Sequence, residues 1–356
     1  MPIRVLIVDD SAFMRNALSK MLSADPEIEI AGTARDGVEA IEKVALLKPD
    51  LVTMDIEMPR MDGIEALRRI MSTSPLPVIM VSSLTVEGAQ ATLEALEIGA
   101  VDFLSKNLAD LSVNILQVRE TLLEKVKQIG RRRLRLSGRS PRPVSAAAVR
   151  AVPTAVPESR VEYRKERRIA IVAIGTSTGG PKALQDVIPK LPKEFPVPVV
   201  VVQHMPPAFT AAFADRMNEL SQVKVKEAEE GETLKPGVVL VAPGRGHMSV
   251  RRGRIGECYV TIDENRPDLI YRPSADVTML SVADIYPGRA LGVILTGMGN
   301  DGEKGMRAIK ASGGRTIAQN EETCVVYGMS RASIEARIVD KVVPLSEVVG
   351  EIVNAV

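Results

Sequence analysis

Short runs of β-branched residues alternate with segments of helical period twice along this chain, and several of those runs end on a residue that carries chemistry. In the first half Ile3–Val8, Ile28–Thr33, Leu51–Met54, Val78–Val81 and Asp102–Leu104 read as strands. Between them lie helical stripes such as Phe13, Met14, Ala17, Leu18, Met21 and Leu22, an i, i+4, i+8 pattern. Five strands, each followed by a helix, predict a doubly wound parallel α/β sheet of about 125 residues. The second half repeats the logic with Ile169–Ile174, Val197–Gln203, Val223–Ala228, Val238–Ala242, Ala290–Leu295 and Arg315–Ala318, interrupted by a Gly-rich, hairpin-like patch at Met248–Ile262. In sheets of this class the site lies outside the carboxyl ends of the strands.

The two halves are separated by a stretch of different character. Residues 131–168 hold eleven Arg and one Lys against three Glu, with four Pro and an Ala146-Ala147-Ala148 run but no apolar period. They read as a flexible basic linker, and a single aromatic, Tyr163, stands among the arginines where a nucleic-acid arm would interleave several. The division is therefore 1–128 for the first domain, 129–168 for the linker and 169–356 for the second domain. The formal charge of +1 hides this asymmetry, and neither flanking half is basic enough to bind a polyanion by charge alone. Two cysteines, Cys258 and Cys324, stand outside any C-x-x-C spacing, so neither a disulfide scaffold nor a zinc site is expected. The first apolar run stops at Asp9-Asp10, too soon for a signal peptide, and no run approaches the ~18 residues of a membrane span. The expectation is a soluble cytoplasmic protein.

In the first half Asp9 and Asp10 follow the first strand, Asp55 ends the third, Ser82 ends the fourth and Lys106 follows the fifth. These residues converge on one sheet edge. Three carboxylates there repel one another and invite a hard divalent cation such as Mg²⁺. With the cluster neutralised, Asp55 can attack a phosphoryl phosphorus while Ser82 and Lys106 hold its oxygens. Any one Asp could instead simply cap the next helix, but five suitable residues at strand ends make coincidence improbable. The segments Val8-Asp9-Asp10-Ser11, Met54-Asp55-Ile56-Glu57-Met58-Pro59-Arg60-Met61-Asp62-Gly63, Val81-Ser82-Ser83 and Lys106 resemble a response-regulator receiver domain of flavodoxin-like fold. The resemblance implies that Asp55 is the phosphoacceptor and a chemotaxis-type sensor histidine kinase the donor. It also implies a Mg²⁺ site of Asp9, Asp10, Asp55 and the Glu57 carbonyl, with Ser82, Phe103 and Lys106 as the phosphorylation switch. Asn107 stands where such domains usually carry Pro.

In the second half the strand Ile169–Ile174 runs into Gly175-Thr176-Ser177-Thr178-Gly179-Gly180-Pro181 and then a helix. A G-x-S-x-G turn between strand and helix lifts a Ser hydroxyl to the sheet edge, near backbone N–H groups and the helix's positive end. Such turns also cradle phosphates, but Ser177 occupies the place of the second Gly of a dinucleotide fingerprint, where a Cβ obstructs a pyrophosphate. Hydrolysis needs a base, and the chain has two histidines. His204 directly follows a strand, whereas His247 lies in a turn-rich segment, so His204 is preferred. The carboxylate that holds the imidazole is then Asp301, in Thr296-Gly297-Met298-Gly299-Asn300-Asp301-Gly302, although an Asp there could equally cap the following helix. The order Ser177…His204…Asp301 differs from the Ser…Asp…His of α/β-hydrolases, as expected if geometry sets the triad.

These segments, with Asn265, Tyr271-Arg272-Pro273-Ser274 and Ala318-Gln319-Asn320, are similar to the Rossmann-like catalytic domain of the chemotaxis protein-glutamate methylesterases, the CheB family. The resemblance implies Ser177 as nucleophile, His204 as base, Asp301 as orienting acid, and Thr178 and the Met298 N–H as oxyanion donors. The implied substrate is a γ-glutamyl methyl ester on methyl-accepting chemoreceptors, with glutamine deamidation as a second activity and no cofactor for hydrolysis. The implied enzyme is peripheral to membrane-bound receptors without inserting. A DNA-binding regulator, a nucleotide-binding module and a non-catalytic adaptor are the rival outputs. The first would need a basic helix-turn-helix, but the second half carries a net charge of −1.

Overall fold

A computed structural model describes residues 2–83, 85–106, 115–137, 168–254 and 256–356. Asn107 and the part of the basic linker from 138 to 167 lie outside the described residues.

The first half is a five-stranded parallel sheet of β1 (Ile3–Val8), β2 (Ile28–Ala34), β3 (Leu51–Asp55), β4 (Val78–Ser82) and β5 (Asp102–Ser105), ordered β2-β1-β3-β4-β5. This is the flavodoxin-like doubly wound order, whose switch point lies between β1 and β3. Strands β3 and β4 are buried throughout, because helices cover both faces of a parallel sheet. The crossovers are α1 (Ala12–Leu22), α2 (Gly37–Leu47), α3 (Gly63–Thr73) and α4 (Val86–Ile98), followed by α5 (Ile115–Ser137). Ser11, Asp36, Asp62 and Thr85 cap the first four by accepting from the backbone N–H three residues on. On α1 the buried stripe is Met14, Leu18, Met21 and Leu22, while Phe13 turns outward and is 71% exposed, against the sequence pattern. Helix α5 continues through Ser137, nine residues into the segment read as linker.

The second half is a seven-stranded parallel sheet of β6 (Ile171–Thr176), β7 (Val199–Gln203), β8 (Lys224–Glu227), β9 (Val238–Val241), β12 (Ala290–Ile294), β13 (Arg315–Gln319) and β14 (Lys341–Val343). The order is β14-β13-β12-β6-β7-β9-β8. From β6 the chain passes to β7, crosses to the edge strand β8 and comes back to β9 between them. It then moves to β12 on the other side of β6 and winds outward to β13 and β14, so the switch point lies between β6 and β12. The antiparallel pair β10 (His247–Arg252) and β11 (Cys258–Asp263) forms a separate ribbon, as the Gly-rich patch predicts. Its β10 strand is tied to α8 (Ala275–Ile285), Thr278 Oγ1 donating to the Met248 carbonyl at 2.7 Å. The other helices are α6 (Gly180–Val187), α7 (Pro207–Leu220), α9 (Glu303–Ala311), α10 (Met329–Glu335) and α11 (Leu345–Ala355).

The halves meet through the receiver-like half's α4–β5 face and α7. The Phe103 ring from β5 stacks on Phe209 with centroids 4.6 Å apart. Glu97 at the end of α4 takes a two-pronged ion pair from Arg216, with Nη2 to Oε2 at 2.9 Å. Leu93, Leu96, Phe103, Phe209 and Phe213 belong to one contiguous apolar cluster. A second cluster joins Leu122 and Val126 of α5 to Val326, with Met298 and Val325 packed against it.

Candidate active site

Two sheet edges carry the chemistry. At the carboxyl edge of the first sheet, carboxylate oxygens of Asp9, Asp10 and Asp55 lie within 4.8 Å of one another. Asp9 and Asp55 are buried and Asp10 is exposed. Lys106 reaches in from the end of β5, with Nζ 2.9 Å from Asp9 Oδ2 and 2.6 Å from Asp55 Oδ2. Burial pushes the Asp55 carboxyl up to about 6, with Lys106 opposing and Asp9 adding to the rise. Burial also disfavours the Lys106 ammonium, but Asp55 and Asp9 outweigh it and hold the group above its ordinary value. Three carboxylates against one ammonium leave excess negative charge in a largely buried pocket, which is the donor chemistry a hard cation needs. Ser82 is buried at the end of β4, and its hydroxyl donates to the Gly88 carbonyl at 3.1 Å. Phe103 is buried against the second half, and Glu57 lies exposed two residues past Asp55.

At the second edge, register brings Ser177 and His204 together. Thr176 pairs with Gln203 across β6 and β7, and the His204 N–H donates to the Thr176 carbonyl at 3.2 Å. The next residue on each strand is therefore a neighbour, with backbones about 5 Å apart. Gln203 Nε2 donates to the carbonyls of both Ser177 and His204 at 3.0 Å, tying the two turns. The β12 loop closes on the same point. Thr296 accepts from the Ser177 N–H at 3.1 Å and from Thr176 Oγ1 at 2.8 Å, and its hydroxyl donates to the Thr178 carbonyl at 2.9 Å. Gly297 is packed between Met329 and Ser177, where an added Cβ would come within 2.3 Å of the Met329 sulfur and 3.0 Å of the serine Cβ and N. Met298 follows, half-buried, and Thr178 is buried beside Ser177 in sequence.

His204 Nε2 lies 2.7 Å from Asp301 Oδ2. Asp301 does not cap α9, whose first turn has Gly302 at its cap and no side-chain cap bond. It turns to the N-terminus of α8 instead, accepting from Ser274 Oγ at 2.9 Å and from the N–H groups of Ala275 at 2.6 Å and Asp276 at 3.0 Å. Burial alone would raise this carboxyl, but the His204 hydrogen bond and charge and the two helix N–H donors override it, leaving it below its ordinary value. Asp301 is thus a fixed anion at a helix's positive end. His247 is fully buried at the start of β10, and neither ring nitrogen has a hydrogen-bond partner. Burial, then Arg272 and Arg266, disfavour its cation.

Sequence reasoning missed the residues that hold this arrangement. Thr296 is its hub, with Gln203, Gln319 (Oε1 accepting from the Thr296 N–H at 2.8 Å) and Ser274 around it. Thr296 and Gln203 lie within two residues of Met298 and His204, whereas Ser274 and Gln319 stand far in sequence from every candidate and gave no such signal. Tyr271 was noticed only as part of a motif; its ring stacks on the His204 imidazole, with centroids 4.8 Å apart and planes at 10°.

A family model described as CheB methylesterase matches residues 172–352, and one described as response regulator receiver domain matches residues 5–114. A protein-glutamate methylesterase/protein-glutamine glutaminase of Nitratidesulfovibrio vulgaris is 48% identical, the alignment covering 99% of each chain. One from Pyrococcus horikoshii is 45% identical over 99% of this chain and 94% of its own. The crystal structure of the Thermotoga maritima CheB methylesterase catalytic domain, 45% identical, covers 53% of this chain and 99% of its own with a TM-score of 0.52. Among the described residues no helix is long and apolar enough to cross a membrane.

Proposed function

Since the chain belongs to the CheB methylesterase family and carries a receiver domain ahead of its catalytic half, we propose that it hydrolyses γ-glutamyl methyl esters on chemoreceptors, through Ser177, His204 and Asp301. The observation that carries this reading is the buried Asp301 carboxylate, gripped by a helix N-terminus and holding the imidazole of the histidine next to the strand-end serine. With Nε2 committed to Asp301, Nδ1 is the nitrogen that takes the Ser177 proton. The edge used is the opposite of that in the chymotrypsin template, and the logic is the same.

Ser177 Oγ attacks the ester carbonyl as its proton passes to His204 Nδ1. The N–H of Met298 and the Thr178 segment hold the oxyanion, and Asp301 stabilises the imidazolium. Methanol leaves with the proton from His204, and water then cleaves the acyl-enzyme by the reverse route, giving glutamate. A glutamine side chain follows the same course with ammonia as leaving group. An amide leaves less readily than an ester, so deamidation is the slower reaction.

The receiver supplies control. Bound among Asp9, Asp10, Asp55 and the Glu57 carbonyl, Mg²⁺ would supply charge neutralisation for carboxylates and phosphoryl oxygens alike. Asp55 accepts the phosphoryl group from the phosphohistidine of a sensor kinase, an O–P bond forming as the N–P bond breaks. Ser82 and Lys106 then hold the phosphoryl oxygens, and Ser82 must leave Gly88 to do so. Phe103 moves into the space Ser82 vacates and gives up its stack on Phe209, so the contact beside the catalytic edge loosens. In the unphosphorylated protein that contact keeps a bulky receptor helix from Ser177. The working place is the cytoplasmic side of the receptor membrane. An active-serine phosphonate probe tests the core of this reading. Mass mapping should find the label on Ser177, and lost or much slower in His204→Ala; labelling of another serine would overturn it.

A further inference from the structure

Asp301 fixes one edge of the His204 ring, but a single hydrogen bond leaves the ring free to tilt about it. The same short segment that holds Asp301, through Ser274, Ala275 and Asp276, also presents Tyr271, whose ring lies parallel to the imidazole at 10° with centroids 4.8 Å apart. We propose that Tyr271 is a positioning residue for His204, its ring face setting the tilt of the imidazole and favouring the imidazolium formed during attack. The proposal rests on His204 being the base. The separation lies within the ~6 Å over which an aromatic face attracts a cation, and the near-parallel planes suit an offset stack.

Tyr271 is itself held. Its hydroxyl lies against Gly299, where an added Cβ would come within 2.2 Å of the phenol oxygen. Gly299 follows Met298 and takes φ +81°, so the phenol bridges the base and the loop that carries the Met298 N–H. Burial, then the Asp301 and Glu124 charges, raise the phenol above its ordinary value, so it keeps its proton near neutral pH and does not act there as a titrating acid or base. Its contribution is therefore made by the ring face, and phenylalanine should replace it.

The test compares Tyr271→Phe and Tyr271→Leu in the full-length protein, activated by a small acyl-phosphate donor, with methanol release from methylated receptor membranes as the readout. Tyr271→Phe is expected to keep kcat within about twofold, and Tyr271→Leu to lose about tenfold in kcat with KM nearly unchanged, the scale of a partly desolvated cation–π contact. In the leucine variant the acid limb of the kcat/KM profile should move to lower pH by up to about one unit, because a cation that has lost its aromatic face forms less readily. If Tyr271→Leu fails to fold, Tyr271→Met carries the same expectation at similar bulk. Equal kinetics for Phe and Leu, or an equal loss in both, overturns the proposal, the first removing the ring's role and the second assigning it to the hydroxyl. His204→Gln separates the two levels of inference. Substantial activity with the acid limb intact in that variant means His204 is not the base, whatever Tyr271 does.

Discussion

Replacing Arg216 should raise the activity of the unphosphorylated enzyme, by an amount that the structure sets. Arg216 on α7 meets Glu97 on α4 through Nε and Nη2, and the two side chains are 39% and 27% exposed. The pair is two-pronged and partly buried, yet Arg216 also bonds Glu219 on its own helix at 2.7 Å, so the contact between halves is worth only ~1 kcal/mol. Arg216→Ala should therefore shift the closed-to-open balance, and with it the basal rate, by about fivefold. Arg216→Glu adds like-charge repulsion of similar size, for a total of about thirtyfold, limited by the rate of the fully open enzyme. The Phe103–Phe209 stack, worth ~0.5–1.5 kcal/mol beyond its buried area, survives both changes, so phosphodonor should still activate them. The double variant Glu97→Arg with Arg216→Glu should restore most of the inhibition. The assay is methanol release from methylated receptor membranes without phosphodonor, at low and high salt. Unchanged basal activity in both folded single variants, or no rescue in the double variant, would refute the claim that this contact holds the closed pose.

Four further outcomes follow from the same geometry. Phosphate incorporation should disappear in Asp55→Asn. Because burial holds the Asp55 carboxyl near 6, protons compete with the cation there, and Mg²⁺ affinity measured by calorimetry should fall as pH drops through that value. The isolated domain 169–356 should be more active on methylated receptors than the unphosphorylated full chain, and equal or lower activity from the folded domain would speak against inhibition by the receiver. Ser274→Ala removes one of two donors to Asp301 Oδ1 and should cost about fivefold to tenfold in kcat with KM nearly unchanged, since a hydrogen bond to a charged group contributes ~1.5–3 kcal/mol and the Asp276 N–H retains part of it.

Strand-end chemistry was the legible part of this chain. A parallel sheet writes its strands as continuous apolar runs, so the residue after each run is visible, and Asp55, Ser82, Ser177 and His204 all stand at or directly after such runs. The preference for His204 over His247 came from the same signal, and the structure pairs His204 with Asp301 while burying His247 without a partner. Asp301 could not be separated from a helix cap by sequence, because its donors come from α8, some 25 residues earlier in the chain. Thr296, Gln203 and Gln319 were illegible for the same reason: a polar residue inside an apolar run does not announce which distant carbonyl it meets. Strand β14 is three residues long with two of them exposed, too short to give a period. Phe13 fits the α1 stripe by spacing, but in the first turn it is Met14 that turns to the core, in line with Leu18 and Leu22, and Phe13 beside it faces outward.

The most direct test is methanol release from methylated receptor membranes by the phosphodonor-activated full-length protein, beside Ser177→Ala, His204→Ala, Asp301→Ala and the triple variant. The account predicts release by the wild type, losses of about 10⁴-fold or more for Ser177→Ala and His204→Ala, and little further loss in the triple variant, because the three residues act as one unit. Near-normal release from the folded Ser177→Ala protein, or single losses that multiply in the triple variant, would contradict it.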